Sequence, residues 1–228
     1  MTTTEHQTTI QQVSIRIWDL PTRLFHWSLL VCIVGSFTCV KAASKYGPAL
    51  MQWHFYFGYA VLTLLLFRLV WGVLGNRYAR FGSFLPNPLA AWRTLRGAPA
   101  PHPGHNPLGA GSVYALLFCL LAQSVSGLFS NDDIANEGPF VVKISKDLSD
   151  TITGWHKLNE KIIIGLVLLH LAAITYYRYV KKERLVKAMV TGDKQGAVGF
   201  AAQDNAALRW RALAVFAACA LLVWASVR

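Results

Sequence analysis

The sequence predicts an all-α integral membrane protein, a bundle of four transmembrane helices followed by a fifth near the C-terminal end. Three observations predict it: 54% of the 228 residues are hydrophobic, only 14% are charged, and the apolar residues gather into five runs of spanning length. A hydrocarbon core about 30 Å thick needs about 20 mostly apolar helical residues to cross it. Ordinary soluble domains carry about 25% charged residues, so lipid is the solvent for much of this chain.

The first run extends from Leu24 to Val40, the second from Met51 to Leu74 and the third from Ser112 to Phe129. The fourth covers Ile162 to Tyr179 after a polar helical lead-in near His156, and the fifth, the shortest, covers Ala212 to Val227. Residues 1–14 are polar and rich in Thr and Gln, without the basic and apolar regions of a secretory signal, and read as a disordered cytoplasmic tail. Residues 15–192 then form one membrane domain, and residues 193–228 an inner loop and the fifth helix. The segment from Asn76 to Gly111 is rich in Pro, Gly and Arg, which predicts irregular surface structure.

A net charge of +11 in a soluble chain would suggest nucleic acid, but here the basic residues sit between the apolar runs. Arg16 and Arg23, then Arg77, Arg80, Arg93 and Arg96, then Arg178 through Arg211 fall on alternate segments, which the positive-inside rule assigns to the cytoplasm. The segment NDDIANEGPFVVKISKDLSD holds Asp132, Asp133, Glu137, Asp147 and Asp150, and belongs outside. Nucleic acid is excluded as a partner, and membrane lipid is the expected surrounding. Cys32, Cys39, Cys119 and Cys219 lie in apolar stretches with no CxxC pair and no CxxCH attachment site, and read as small packing residues.

Ionisable residues inside a membrane are costly and mark function. His26 opens the first span in RLFHW, His54 opens the second in QWHFYFGY, and the fourth supplies His156 in GWHKLNEK and His170 in LVLLHLAA. His156 and His170 are 14 residues apart, close to four turns of helix, so they share a face and stand roughly 21 Å apart along the axis. Depth then assigns partners: His54 lies level with His156 toward the outside, and His26 level with His170 toward the cytoplasm. A lone intramembrane histidine is often an interhelical hydrogen-bond donor. Four at two matched depths predict instead two bis-histidine haem sites enclosed by the four-helix bundle.

Arg68, 14 residues after His54, shares that residue's face at the depth of the inner haem, where a propionate is a natural partner. Arg23, near the same end, reads the same way, although both also suit the role of cytoplasmic flanking charge. His102 and His105 in PHPGHNPLG sit in a Pro- and Gly-rich turn and read as exposed or loop-packing residues rather than ligands. Trp18, Trp27, Trp53, Trp71 and Trp155 read as interfacial anchors.

The stretches IRIWDLPTRLFHW, WHFYFGY with LFRLVWG, GHNPLGAGSVYALL and WHKLNEKIIIGLVLLHLAAI together resemble the bacterial cytochrome b561 family, which includes the b-type cytochrome subunits of nickel–iron hydrogenases. The resemblance extends from about Ser14 to Gly192. It implies a four-helix core with two b haems ligated by His26, His54, His156 and His170, placed in the bacterial inner membrane. It further implies exchange of electrons between membrane quinone and a partner protein such as a c-type cytochrome or a hydrogenase. A basic c-type cytochrome suits the acidic outer loop electrostatically. The competing class is a transition-metal transporter using the same histidines, which would want Met, Cys or carboxylates stepping through the core.

Overall fold

In the computed structural model, residues 14–47, 49–96, 104–195 and 200–228 are described. Residues 1–13, which include His6 and all but the last residue of the expected disordered tail, lie outside them, as does His102; Ser14, the last tail residue, is instead paired with Gln195 in a strand. The chain forms seven α-helices among these residues: α1 (Leu20–Tyr46), α2 (Ala49–Leu74), α3 (Pro88–Leu95), α4 (Pro107–Gly127), α5 (Lys146–Tyr179), α6 (Leu185–Thr191) and α7 (Ala206–Ser226). Five of them, α1, α2, α4, α5 and α7, are long and apolar enough to cross a membrane. Their outward faces carry bare apolar side chains such as Phe118, Leu169 and Leu221, as a lipid-facing surface should.

The helix starts follow local chemistry. Asp19, Asn87, Asn106, Ser145 and Asn205 each accept a backbone N–H in the first turn of the helix they precede. Pro21, Pro88 and Pro107 occupy opening positions, where a missing N–H costs nothing. α5 begins 16 residues before Ile162, so His156 lies within one continuous 34-residue helix. Asp147 and Asp150, expected in the outer loop, are therefore on its first turns. α7 starts at Ala206 rather than Ala212 and is a full 21 residues long.

α1 packs along α2, α2 along α4 and α7, and α4 along α5. Cross-links at both ends make α1 and α2 antiparallel: Asp19 at the start of α1 accepts from Trp71 near the end of α2, while Ser36 of α1 meets His54 near the start of α2. The densest core lies along α2, where Val61, Leu64, Leu65, Phe67 and Trp71 are buried against Phe25 and Leu29 of α1 and Leu208, Ala212 and Cys219 of α7. All four cysteines are free.

One end of the bundle is closed by a two-stranded antiparallel sheet of β1 (Ser14–Arg16) and β2 (Asp193–Gln195), which no apolar periodicity announces. Ala202 adds a backbone bond to Arg16 at 2.7 Å. Asp204 holds Arg16 at 2.7 Å and Arg209 at 2.9 Å. This sheet end gathers the starts of α1, α4 and α7 and the ends of α2 and α5. The opposite, loop end carries the α1–α2 turn and residues 128–145. There Lys146 pairs with both Asp133 and Asp150, and Asp132 accepts the backbone N–H groups of Ile134, Ala135 and Asn136.

Candidate functional site

The four histidines fall at two levels. At the loop end, His54 of α2 and His156 of α5 are electrostatic neighbours; at the sheet end, His170 of α5 is the neighbour of His26 of α1. α5 packs on α4 and α6 but makes at most marginal backbone contact with α1 or α2. Each pair is thus drawn from helices that do not pack on one another, the spacing that a flat cofactor ligated from both faces requires. An ion pair of Lys41 with Glu160, at 3.0 Å, spans from α1 to α5 between the two sides.

Close approach is built in around the rings. A Cβ on Gly127 of α4 would stand 3.1 Å from Cε1 of His156, so the absence of a side chain there makes room for the imidazole. At Gly72 of α2 a Cβ would collide with the Phe81 ring, and that ring supports the Arg68 guanidinium at 4.4 Å from its centroid.

The loop-end imidazoles are tied. His54 Nδ1 lies 2.8 Å from the Ser36 hydroxyl and 3.1 Å from the Ser36 carbonyl oxygen, and His156 Nδ1 lies 3.0 Å from the Ser126 hydroxyl. Neither serine carries a sequence signal, since Ser on an apolar helix reads as a back-bonded packing residue. The sheet-end imidazoles differ: His26 Nδ1 is buried without a partner, and among the described residues no hydrogen bond reaches His170.

Arg68 is only 3% exposed and its Nη1 has no partner among the described residues, so it is not a flanking charge reaching for water. Arg23 donates from Nη1 to the Val190 carbonyl at 2.6 Å and approaches Asp204 at 3.7 Å, leaving Nε buried and unpaired. His26 Nδ1, Arg23 Nε and Arg68 Nη1 are each buried at the sheet end with no partner among the described residues. A haem propionate is the kind of acceptor they fit.

His105 is a packing residue, not an exposed one. Its ring lies 4.2 Å from Phe84 and 4.7 Å from Trp18, centre to centre, with Nδ1 buried and unpartnered. Burial, with the Arg68 charge second, holds its pKa down at about 3 from an ordinary 6.5. The tryptophans divide. Trp53 and Trp155 are exposed at the loop end as anchors are, whereas Trp71 is 1% exposed and donates to Asp19, and Trp18 is buried in the sheet-end cap. Asp19, fully buried, also accepts from Thr22 N at 2.8 Å and Asn76 Nδ2 at 2.6 Å. Burial pushes its pKa up, opposed by the bonds from Thr22 and Trp71.

Among the described residues no three His, Cys, Asp or Glu side chains come together as a metal-ion site. Two imidazoles from facing helices are the ligand set that haem iron takes.

The sequence profile of the prokaryotic cytochrome b561 family matches residues 17–192. A "Probable Ni/Fe-hydrogenase B-type cytochrome subunit" of Azotobacter chroococcum is 24% identical over 214 residues, covering 80% of this chain and 89% of that protein. A "Probable Ni/Fe-hydrogenase 1 B-type cytochrome subunit" of Escherichia coli K12 is 25% identical, covering 79% and 90%. No solved structure matches the chain. Five helices long and apolar enough to cross a membrane, and a family match over most of its length, identify the chain as a member of the prokaryotic cytochrome b561 family, a membrane electron-transfer protein that uses haem b.

Proposed function

We propose that this protein carries electrons across a bacterial inner membrane through two b haems, one held by His26 and His170 at the sheet end and one by His54 and His156 at the loop end. The observation that carries the reading is the pairing of histidines, at two levels, from helices that do not pack directly on each other. Haem held there by two histidines would supply a one-electron couple suited to electron transfer rather than oxygen chemistry. The chain's own residues place the imidazoles, surround them with apolar helix, and offer Arg68 and Arg23 as buried donors to a propionate at the sheet end.

The sheet end faces the cytoplasm in this reading, because Arg77, Arg80, Arg93, Arg96, Arg178 and the basic run after it cluster on that side. Quinone in the lipid is one redox substrate. The other is a protein docking at the loop end, a basic c-type cytochrome or a hydrogenase of the kind that the relatives' names indicate. Lys146 engages Asp133 and Asp150 there but not Asp132, Glu137 or Asp147. Changing Asp132, Asp133 and Glu137 together to amides is expected to slow reduction by a basic c-type cytochrome and to leave the haem spectrum unchanged; an unchanged rate removes the docking surface.

The direct test uses vesicles with ferricyanide trapped inside and a membrane-impermeant reductant outside. Vesicles containing the protein are expected to reduce the trapped ferricyanide, with the rate lost in His54→Ala. Reduction no faster than in protein-free vesicles contradicts transmembrane transfer.

A further inference from the structure

The two serines at the loop end are not accounted for by ligation, and their geometry fixes a proton. The Ser36 carbonyl oxygen, 3.1 Å from His54 Nδ1, can only accept, so Nδ1 of His54 carries the hydrogen and Nε2 keeps its lone pair. The Ser36 hydroxyl oxygen, at 2.8 Å, shares that hydrogen. At the other ring, Ser126 donates its hydroxyl hydrogen to the Gln123 carbonyl at 3.1 Å, which leaves its oxygen free to accept from His156 Nδ1 at 3.0 Å. Both loop-end imidazoles are thereby set in the same tautomer, Nδ1 protonated and Nε2 available.

We propose that Ser36 and Ser126 are positioning residues that lower the reduction potential of the loop-end haem relative to the sheet-end haem, so that the equilibrium distribution of an electron favours the sheet end. The inference rests on the dihaem reading. An imidazole that donates its other N–H to an acceptor is oriented and becomes a stronger electron donor to the metal, which stabilises the ferric state. The loop-end pair has such acceptors on both rings. The sheet-end pair has none among the described residues, with His26 Nδ1 buried and unpaired. Axial ligand basicity is one of the levers by which a protein sets a haem potential, and here the same ligand type is tuned differently at the two ends.

The experiment is a potentiometric titration of the whole protein with both haems bound, followed by absorbance and by the low-spin ferric electron paramagnetic resonance signal. The loop-end step is the one that disappears in His54→Ala. Ser126→Ala is expected to raise that step and shift its resonance signal, and Ser36→Ala, which keeps the Ser36 carbonyl against His54 Nδ1, to do so less. The double variant should change the ferrous-to-ferric ratio at fixed potential by about tenfold, equivalent to about 59 mV for one electron, with the sheet-end step unmoved. Ser126→Thr, which keeps the hydroxyl, should restore the original potential. Ser124→Ala, whose hydroxyl bonds only the Leu120 carbonyl on its own helix, should change nothing. Two haems present with no shift in any serine variant overturn the proposal and leave the dihaem reading standing. Loss of the loop-end haem in both Ser126→Ala and Ser126→Thr also overturns it, because the hydroxyl is then irrelevant. A wild-type protein without haem overturns the dihaem reading itself.

Discussion

The two histidine levels differ in how complete they are without a cofactor. At the loop end the rings of His54 and His156 are tied by Ser36 and Ser126, and the surrounding acids are largely engaged with Lys146, Asn131 and backbone N–H groups. At the sheet end His26, Arg23, Arg68 and His105 each bury a nitrogen that has no partner among the described residues. Buried polar groups are normally hydrogen-bonded, so these nitrogens are candidates to meet a bound acceptor.

The largest effects should come from the ligands. His54→Ala or His156→Ala is expected to remove the loop-end haem alone, and His26→Ala or His170→Ala the sheet-end haem alone, read as a fall from about two to about one haem per chain. A variant from one level that removes the haem of the other breaks the comparison.

Next is Asp19, the fully buried cap that joins α1 to Trp71 and Asn76 of the sheet end. Asp19→Ala leaves an indole N–H, an amide N–H and a backbone N–H unsatisfied, and should cost about 3 kcal/mol in thermal or denaturant unfolding in detergent. It should loosen the sheet-end haem before the loop-end one.

Arg68 sharpens the comparison because its charge is buried and its Nη1 unpaired among the described residues. Arg68→Met should leave the haem-free protein equally or more stable, since the desolvation of this buried charge is only partly offset by the Phe81 ring and by Asp19. The same change should weaken retention of the sheet-end haem roughly 10- to 100-fold, a difference of about 1.4 to 2.7 kcal/mol. Equal weakening of both haems would show that Arg68 does not serve one end.

Acid should also separate the ends. His105 is held neutral, with a folded pKa of about 3 against 6.5 for an ordinary histidine, so the unfolded chain binds the proton first. Stability is therefore lost as pH falls below 6.5, by about 1 kcal/mol at pH 5.5. Unfolding midpoints at pH 7.5 and 5.5 should differ more for the native protein than for His105→Phe. The smallest effect belongs to the exposed pair of Lys146 and Asp150, whose removal by Lys146→Met should leave the unfolding midpoint essentially unchanged.

Much of this organisation is legible in the amino-acid sequence. Spans show as apolar runs because lipid demands them, and the 14-residue interval between His156 and His170 fixes their shared face because helix geometry does. The first half of α5 is less visible: DLSDTITGWHKLNEK is polar and amphipathic, so a hydropathy window starts the helix too late. The capping serine, Ser145, is the local signal that marks the true start. The β1–β2 pairing joins strands of three residues separated by most of the chain, which no local pattern encodes. Ser36 and Ser126 are invisible for a different reason: their role depends on a ring brought from another helix. The interval from His54 places Arg68 at the right depth, but its burial depends on Phe81, in a segment that reads as irregular.

The measurement that tests the central claim most directly is a reduced-minus-oxidised absorption spectrum of the purified protein, with pyridine extraction to identify and count the haem. The account predicts about two b haems per chain, one lost with His54 and the other with His170. No haem, or a single haem lost equally in both variants, would contradict it.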